Sequence, residues 1–517
     1  MSYDVKRVGT RALIVDLPDL KTVMDFYAAL TATPLSHQTD VVAAARTVLV
    51  TFDSPTATTA AVEVLASYSP DAADMGTPRD IEIDVRYDGE DVEALAASLD
   101  MSASELIEWH TSTTWVAAFG GFAPGFTYCV PEDASRALEV PRRDSPRTAV
   151  PAGAVALAGE FSAVYPRTSP GGWQLIGTTT TPMWDSTATP PALVAPGDRV
   201  HYRAVEALPE DSQTARKHLA SPPRRPVFTL DDAGMQTLYQ DLGRQGNGNL
   251  GVTTSGSSDR ASARTANAAV GNKRNATLLE NVGGLALTAL AETVICVTGA
   301  DAEVTVGGRS APLATPTIVP AGAEVVVKPA RLGFRTYIAV RGGLIADTEL
   351  DSAATDMLSG LGPKPLASGD TIAMALTPPQ SANSLLSNPL RVERDGADVI
   401  GVVRCVLGPR DDWFSDDAVE QFFSTTFAVT GDSNRVGLRL EGEAPLTRAR
   451  DGELPSEGMV AGSVQIPPNG QPVLFLRDHA VTGGYPVIAT VINEDVDIAA
   501  QLPPGGKLRF ERYTLEG

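Results

Sequence analysis

One phrase recurs three times along this chain of 517 residues, and it constrains the fold more than any single residue does. The first copy runs Val150-Pro151-Ala152-Gly153-Ala154-Val155, then Gly171-Gly172-Trp173, then Gly197-Asp198-Arg199-Val200. The second runs Val319-Pro320-Ala321-Gly322-Ala323-Glu324-Val325, then Gly333-Phe334-Arg335-Thr336-Tyr337-Ile338, then Gly369-Asp370-Thr371-Ile372. The third runs Val460-Ala461-Gly462-Ser463-Val464, then Gly483-Gly484-Tyr485-Pro486-Val487-Ile488, then Pro504-Gly505-Gly506-Lys507-Leu508. Three elements in one order, three times, imply three related β-rich units in tandem. High Gly and Pro counts (46 and 38) with only 20% charged residues suit many short strands joined by tight turns.

The first 85 or so residues read differently. Ala12 to Val15 is a predicted strand, Leu17 to Ala32 a helix ended by Pro34, Ala44 to Phe52 a strand, Pro55 to Ser67 a helix and Arg79 to Tyr87 a strand. That alternation fits a small α/β sandwich of ferredoxin-like type. Two short helices follow, Asp91 to Leu99 and Ser102 to Thr111, the second opened by a Ser102/Glu105 capping box. Strands then continue to Val205. Glu206 to Pro226 is polar and rich in Pro and Arg, so it reads as an exposed, mobile linker. Ser258 to Val270 and Asp416 to Ser424 are predicted helices in the second half. The expected fold is mainly β, divided as an α/β domain (1–87), a β unit (88–206), a linker (207–226) and two more β units (227–376 and 377–517).

A formal net charge of -22 disfavours nucleic acid and anionic membranes as partners. There is no signal-peptide pattern and no apolar run of membrane-spanning length, so a cytoplasmic location is expected. Cys129, Cys296 and Cys405 are too few and too scattered for a disulfide framework or a CxxC site. Five scattered histidines without HExxH argue against zinc, and no Walker loop, GxSxG elbow or GxGxxG is present.

Four dense loops remain. Phe119 to Phe126 follows His110 and Trp115, with Phe122 and Phe126 set to line a pocket or to pack in a core. Arg142, Arg143 and Arg147 are placed to grip an anion, or to pair with Glu160, Asp144 or Asp185. Ser255 to Arg260 opens a helix, where backbone N–H groups suit a carboxylate or phosphate, or an ordinary serine N-cap. Ser456-Glu457-Gly458, with Gln465, Asp478 and Thr482 to Tyr485, suits general acid/base work or turn capping.

At these loops the chain resembles a known family. His110, Trp115, Gly121 to Phe126, Pro146-Arg147, Val150 to Gly153, Tyr165-Pro166 and Ser169 to Trp173 look like allophanate hydrolase subunit 1. Gly251-Val252, Ser255-Gly256, Asp259, Asn267, Gly271-Asn272, Tyr337, Gly342-Gly343, Ser433 to Leu440, Ser456 to Gly458 and Thr482 to Tyr485 resemble subunit 2. The family also includes the B and C subunits of bacterial 5-oxoprolinase, the carboxyltransferase region of urea carboxylase and a Kip inhibitor/antagonist pair acting on a histidine kinase.

The resemblance implies cyclophilin-like β-barrels, one in the first half and two in the second. It implies two normally separate subunits fused here and pairing within the chain, with homo-oligomers open. It also implies an ATP- and Mg²⁺-dependent opening of 5-oxoproline to glutamate, completed by a separate A-like subunit. The alternatives are a carboxyltransferase module and a regulator that binds a histidine kinase. No lysine stands between apolar neighbours as a biotin attachment site, and the Ser257-Ser258 pair lacks an amidase surround. On family-matching positions, Glu457, Asp478 and His110 are the catalytic candidates, with Glu457 and Asp478 also candidates for Mg²⁺. Binding candidates are Phe122, Pro124, Phe126, Arg142, Arg147, Gly171, Gly172, Trp173, Ser255, Gly256, Asp259, Arg260, Arg435, Ser456, Gln465, Thr482, Gly483, Gly484 and Tyr485. A pocket between the two halves is the expected site.

Overall fold

The recurring glycines occupy one kind of turn. In the computed structural model, which describes residues 3–70, 78–143, 145, 147–209, 225–375, 380–383, 386–450, 452 and 454–515, Gly153, Gly322 and Gly462 have φ of +80°, +80° and +99°. Each is the third residue of a four-residue turn, closed by Ala154 N–H to Pro151 O (3.3 Å), Ala323 to Pro320 (3.1 Å) and Ser463 to Val460 (3.1 Å). A side chain at that φ is strained, which is why glycine stands there. Gly197, Gly369 and Gly505 repeat the arrangement before the last strand of each unit, at φ of +93°, +95° and +83°. The middle phrase does not repeat so well. Gly333 to Ile338 lies in the strand Leu332–Val340 of a separate five-stranded sheet, not beside the strand that follows Gly322.

The first and last units are the same ring of strands. In chain order the first ring uses Asp80–Val85, Trp115–Gly120, Thr127–Pro131, Ala154–Ala158, Phe161–Val164, Gln174–Thr178 and Arg199–Ala204. The last uses Asp398–Leu407, Thr426–Val429, Gly437–Glu441, Ser463–Gln465, Val473–Phe475, Val487–Val491 and Lys507–Arg512. In both, neighbours run sixth, fourth, fifth, third, second, seventh, first, and the first strand pairs in parallel with the seventh. The last ring closes through Cys405 to Leu407 against Ala489 to Val491. The first closes through reciprocal backbone bonds between Arg86 and Thr178 (2.9 and 2.8 Å). Closure is a strand pairing in the last ring, which also carries Glu393–Asp395 as an outer eighth strand, and a single bridge in the first. The middle unit is a seven-stranded sheet facing the five-stranded one.

The strand Asp80–Val85 therefore belongs to the first barrel, not to the α/β domain as its position in sequence suggested. Its place in the ferredoxin-like order is taken by an extra N-terminal strand. The sheet runs Asp4–Arg7, Ala12–Asp16, Thr47–Phe52, Gln38–Ala43, all antiparallel. The strand expected at Ala44 to Phe52 is found at Thr47–Phe52, and it pairs in a hairpin with Gln38–Ala43, a strand not expected from the sequence. Alternation in Ala12–Asp16 sends Leu13 and Val15 into a core shared with the helices and the first barrel, while Ala12 and Ile14 meet Val481 of the last barrel. The α/β domain is thus wedged between the two rings.

The helix Ala103–Ser112 carries the expected Ser102/Glu105 capping box. Of the expected linker, 210–224 lie outside the described residues, and Arg225 and Pro226 already belong to a strand. No helix among the described residues is long and apolar enough to cross a membrane.

The turn geometry carries a stability prediction. A Cβ on Gly322 would meet nothing within 4 Å, whereas one on Gly153 would lie 2.1 Å from the Thr179 carbonyl oxygen. Gly322→Ala is expected to cost about 1–2 kcal/mol, for backbone strain alone. Gly153→Ala is expected to cost about 1–3 kcal/mol more, and equal losses on denaturant unfolding would contradict this account.

Candidate functional site

The two halves meet where the loop after Trp115–Gly120 reaches the second half. Phe122, at φ +60°, donates its N–H to Thr482 Oγ1 (3.2 Å), and Gly125 N–H donates to Leu250 O (3.1 Å). Gly251 closes against the Ala123 carbonyl, where a Cβ would come within 2.2 Å. Pro124 is buried in the same loop. Behind it Phe122, Phe126, Tyr128, Tyr165 and Trp173 pack edge to face. Phe126 and Trp173 are core residues beneath the seam rather than pocket walls.

A cavity of about 690 Å³ opens beside this cluster. Phe119, Tyr128, Phe161 and Arg142 line it from the first barrel, and Leu454 to Ser456 line it from the last. Burial raises the Tyr128 phenol above its ordinary pKa, with Arg142 and the Thr482 hydroxyl acting against that, so it stays protonated at neutral pH. Arg142 is exposed, and among the described residues it has no carboxylate partner.

The other two arginines are committed. Arg147 Nη2 bonds both oxygens of Asp91 (2.8 and 3.0 Å) and Glu90 (3.1 Å), and Arg143 Nη1 bonds Asp91 (2.6 Å). Asp91 also accepts from Leu175 N–H (2.7 Å). Burial opposes ionisation of Asp91, but Arg147, that N–H and Arg143 outweigh it and hold the carboxyl below its ordinary pKa. The partners are Asp91 and Glu90, not the Glu160 or Asp185 considered from the sequence; Asp144 lies outside the described residues. Gly171 pairs with Arg147 across two short strands and packs on Tyr165, and Gly172 accepts from Arg143 N–H (2.9 Å).

The last barrel holds the same device with its charges reversed. Asp91 N–H bonds Leu175 O, and Arg410 N–H bonds Val487 O at the matching sixth strand. Gly89 and Gly408 precede them with matching bonds to Ile176 and Ile488. Arg147 faces Gly171, and Glu457 faces Gly483. Where the first barrel has Asp91–Arg147, the last has Arg410–Glu457. Arg410 also reaches Asp16 of the α/β domain (Nη1, 3.0 Å). Burial raises the Glu457 carboxyl, and Arg410 acts against this.

Asp478 is fully buried and its oxygens are filled. It accepts from Arg435 (2.9 and 3.0 Å), Ser255 Oγ (2.6 Å) and Met357 N–H (3.0 Å). Arg435 further bonds Ser258 Oγ (2.6 Å), Gly256 O (2.7 Å) and Glu280. Glu457 and Asp478 are thus each ion-paired to an arginine of their own barrel, Arg410 and Arg435, and a carboxylate spent on a guanidinium in this way does not fit Mg²⁺.

The N–H groups from Ser258 to Ser262 are likewise occupied by the chain itself. Ser258 N–H donates to Glu280 (2.8 Å), Arg260 and Ala261 to Asp497 (3.1 Å each), and Ser262 to Asp259 (2.9 Å). The cap is Asp259, not a serine. Gln465 Nε2 donates to Tyr485 O (3.1 Å) behind Gly483. Gly484 continues this turn beside Leu454, and Tyr485 is exposed.

His110 lies in the closed core of the first barrel, far from catalytic use. Its ring bonds Tyr87 Oη (2.7 Å) and Ser162 Oγ (2.9 Å) and stacks on Tyr202. Burial pushes it down to about 3. The unfolded chain takes up a proton near pH 6.5 and the folded chain does not, so this histidine's contribution to stability falls as pH drops below about 6.5. His110→Gln is expected to remove that dependence, so the wild type loses about 2 kcal/mol more than the variant between pH 7 and pH 5. Parallel loss in both proteins on urea unfolding would refute it.

Sequence reasoning missed Asp91, Arg410, Asp16 and Glu280. Aligning Gly89 with Gly408 by the repeat would have found the first two.

With this geometry in place, comparison with known proteins is decisive. The carboxyltransferase domain, subdomains A and B, matches residues 250–512, and subdomains C and D match residues 3–194. The chain belongs to the carboxyltransferase domain family. As a carboxyltransferase-domain protein it is 32% identical over 296 residues to the C subunit of 5-oxoprolinase from Escherichia coli (strain K12), spanning 55% of this chain and 90% of that one. It is 43% identical over 129 residues to the B subunit of 5-oxoprolinase from Escherichia coli O157:H7, spanning 24% of this chain and 57% of that one. Urea amidolyase of Lachancea kluyveri is 29% identical over 328 residues, where this chain spans 18% of that protein's length. The crystal structure of TTHA0988 superposes with a TM-score of 0.84 at 31% identity, covering 97% of this chain and 99% of that one. Carboxyltransferase-domain relatives that are separate B and C subunits are thus represented here in one chain.

Proposed function

We propose that this protein is the fused B–C component of an ATP-dependent 5-oxoprolinase, working with a separate A-like subunit to open 5-oxoproline to glutamate. The observation that carries this reading is that 5-oxoprolinase relatives of the B type and of the C type both match one chain, whose halves enclose the 690 Å³ cavity together. A lactam carbonyl is a poor electrophile; ATP, when bound, supplies the phosphoryl group that makes its oxygen a leaving group. Arg142 is the residue to hold an anionic group, since its guanidinium is not spent on a carboxylate. Tyr128, held by Thr482, donates a hydrogen bond and does not take up a proton. Phe119 and Phe161 form an apolar wall that limits water at the reacting carbonyl.

The test is phosphate release from ATP with and without 5-oxoproline and the A-like subunit. Release that depends on both is expected, and release indifferent to 5-oxoproline would overturn the reading. The urea amidolyase likeness favours a second reading, transfer of a biotin-carried carboxyl group to a small amide. Decarboxylation of free carboxybiotin by this chain, with no response to 5-oxoproline, would select it.

A further inference from the structure

A second cavity, of about 300 Å³, lies between the α/β sheet and the second half, away from Arg142. Four arginines line it: Arg11 from the sheet, and Arg260, Arg264 and Arg477 from the second half. Their existing bonds leave donors over. Arg11 reaches Asp53 O (2.7 Å) and Glu494 (2.8 Å); Arg260 reaches Leu242 O (3.2 Å) and Ser255 O (3.1 Å); Arg477 reaches Asn493 Oδ1 (3.1 Å) and Asp497 (3.0 Å). In all three the Nε–H group is buried without an acceptor. Arg264 is exposed on its helix and has no carboxylate partner among the described residues.

Two carboxylates line the cavity with the four arginines, while Glu494 and Asp497 pair with Arg11 and Arg477 from outside its lining. Asp40 and Asp53 line the cavity; Asp53 is bonded to His37 (2.8 Å), and Asp40 accepts from Gly248 and Val41 N–H (3.0 and 2.9 Å). Asp497 is shared between Arg477 and the backbone of Arg260 and Ala261. His479 donates Nδ1–H to Ala480 O (2.8 Å), which turns its other nitrogen toward Thr253 Oγ1 (3.3 Å). Burial, with Arg477 and Arg264 nearby, brings Arg260 down to about 9, so the cluster repels itself. A buried Nε–H left unfilled on each of three arginines is costly unless an acceptor arrives.

We propose that this cavity is a binding site for a small oxyanion of the phosphate class, free or at the end of a small molecule, held by Arg11, Arg260, Arg264 and Arg477. It is separate from the seam cavity and from the helix N-terminus, whose N–H groups are already capped. Phosphate fits better than a singly charged carboxylate because the arginines approach from both sides of the interface and offer several forked donors.

The experiment is calorimetric titration of the full chain with inorganic phosphate, against sodium chloride at matched ionic strength and against glutamate. One phosphate per chain is expected, weakened about tenfold by Arg264→Gln with the phosphate-free melting temperature unchanged. Arg142→Ala is expected to leave phosphate binding as in the wild type. No phosphate-specific heat at millimolar concentration would overturn the proposal, as would binding that ignores both Arg264→Gln and Arg11→Gln. Glutamate binding with the same Arg264 dependence and no phosphate binding would overturn the phosphate class. Because the cavities are separate, failure of 5-oxoproline-dependent phosphate release leaves this result to stand or fall by itself.

Discussion

Arg435→Ala is expected to remove about 3–5 kcal/mol of stability, because it strands Asp478 as a buried carboxylate without its ion-pair partner and leaves Glu280 with Arg335 alone. Arg435 is 2% exposed, pairs with Asp478 of its own barrel and joins that barrel to the middle unit through Ser258, Gly256 and Glu280. Lysine cannot replace it, since one ammonium does not span acceptors that a planar fork reaches on several sides. Calorimetric or urea unfolding of the variant reads the loss directly. The double variant Arg435→Ala/Asp478→Asn is expected to lose less than the sum of the two single variants, because the second change removes one stranded charge. A loss under about 1 kcal/mol would show that the network is not what joins these units.

The second large effect is on activity. Arg142→Ala is expected to lower 5-oxoproline-dependent turnover about 10–100-fold, equivalent to about 1.4–2.8 kcal/mol of lost charge-assisted contact. Its melting temperature is expected to stay within the range of a surface substitution. Arg147→Lys is the contrast: the Nη1 bond to the Trp173 carbonyl is lost and one ammonium must serve Asp91 and Glu90, so melting temperature falls and activity per folded molecule changes less. Unchanged turnover in Arg142→Ala, measured at saturating substrate with the A-like subunit present, would remove Arg142 from the site.

Much of the architecture was readable before the fold was seen, because turn glycines and capping residues act locally. Gly153, Gly322 and Gly462 mark the same turn, and Ser102 with Glu105 caps its helix. What could not be read is what depends on distant partners. Asp80 to Val85 looks like the last strand of the α/β domain, but its partner Arg199 to Ala204 lies more than a hundred residues on. The middle phrase misled because Gly333 to Ile338 has the right composition and the wrong neighbours. Among site residues, Arg142, Ser456, Thr482 and the Phe122 loop do converge on one seam. Asp478, Arg435 and Asp259 match family positions equally well yet serve burial and docking, and a sequence shows residue types without showing which acceptors already fill them. Arg147 was paired in expectation with acids near it in sequence. Its true partner comes from Asp91, read at first only as a helix start.

The reversed ion pairs bear on how a chain with two like barrels folds correctly. During synthesis the segment around Gly89 could dock on either ring, since both offer the same backbone groups at the sixth strand. Docked wrongly, Asp91 would meet Glu457, and Arg410 would meet Arg147. Like charges brought together without solvent cost several kcal/mol, so the exchanged arrangement is repelled while the native one is held. The variant D91R/R147E keeps an ion pair in each barrel but gives both the same polarity. The exchange also forfeits the Arg143 and Leu175 N–H contacts of Asp91, so native stability falls; a refolding yield lower than that fall accounts for is the expected mark of the lost discrimination, and a yield that follows native stability alone would mean that chain order keeps the two barrels apart.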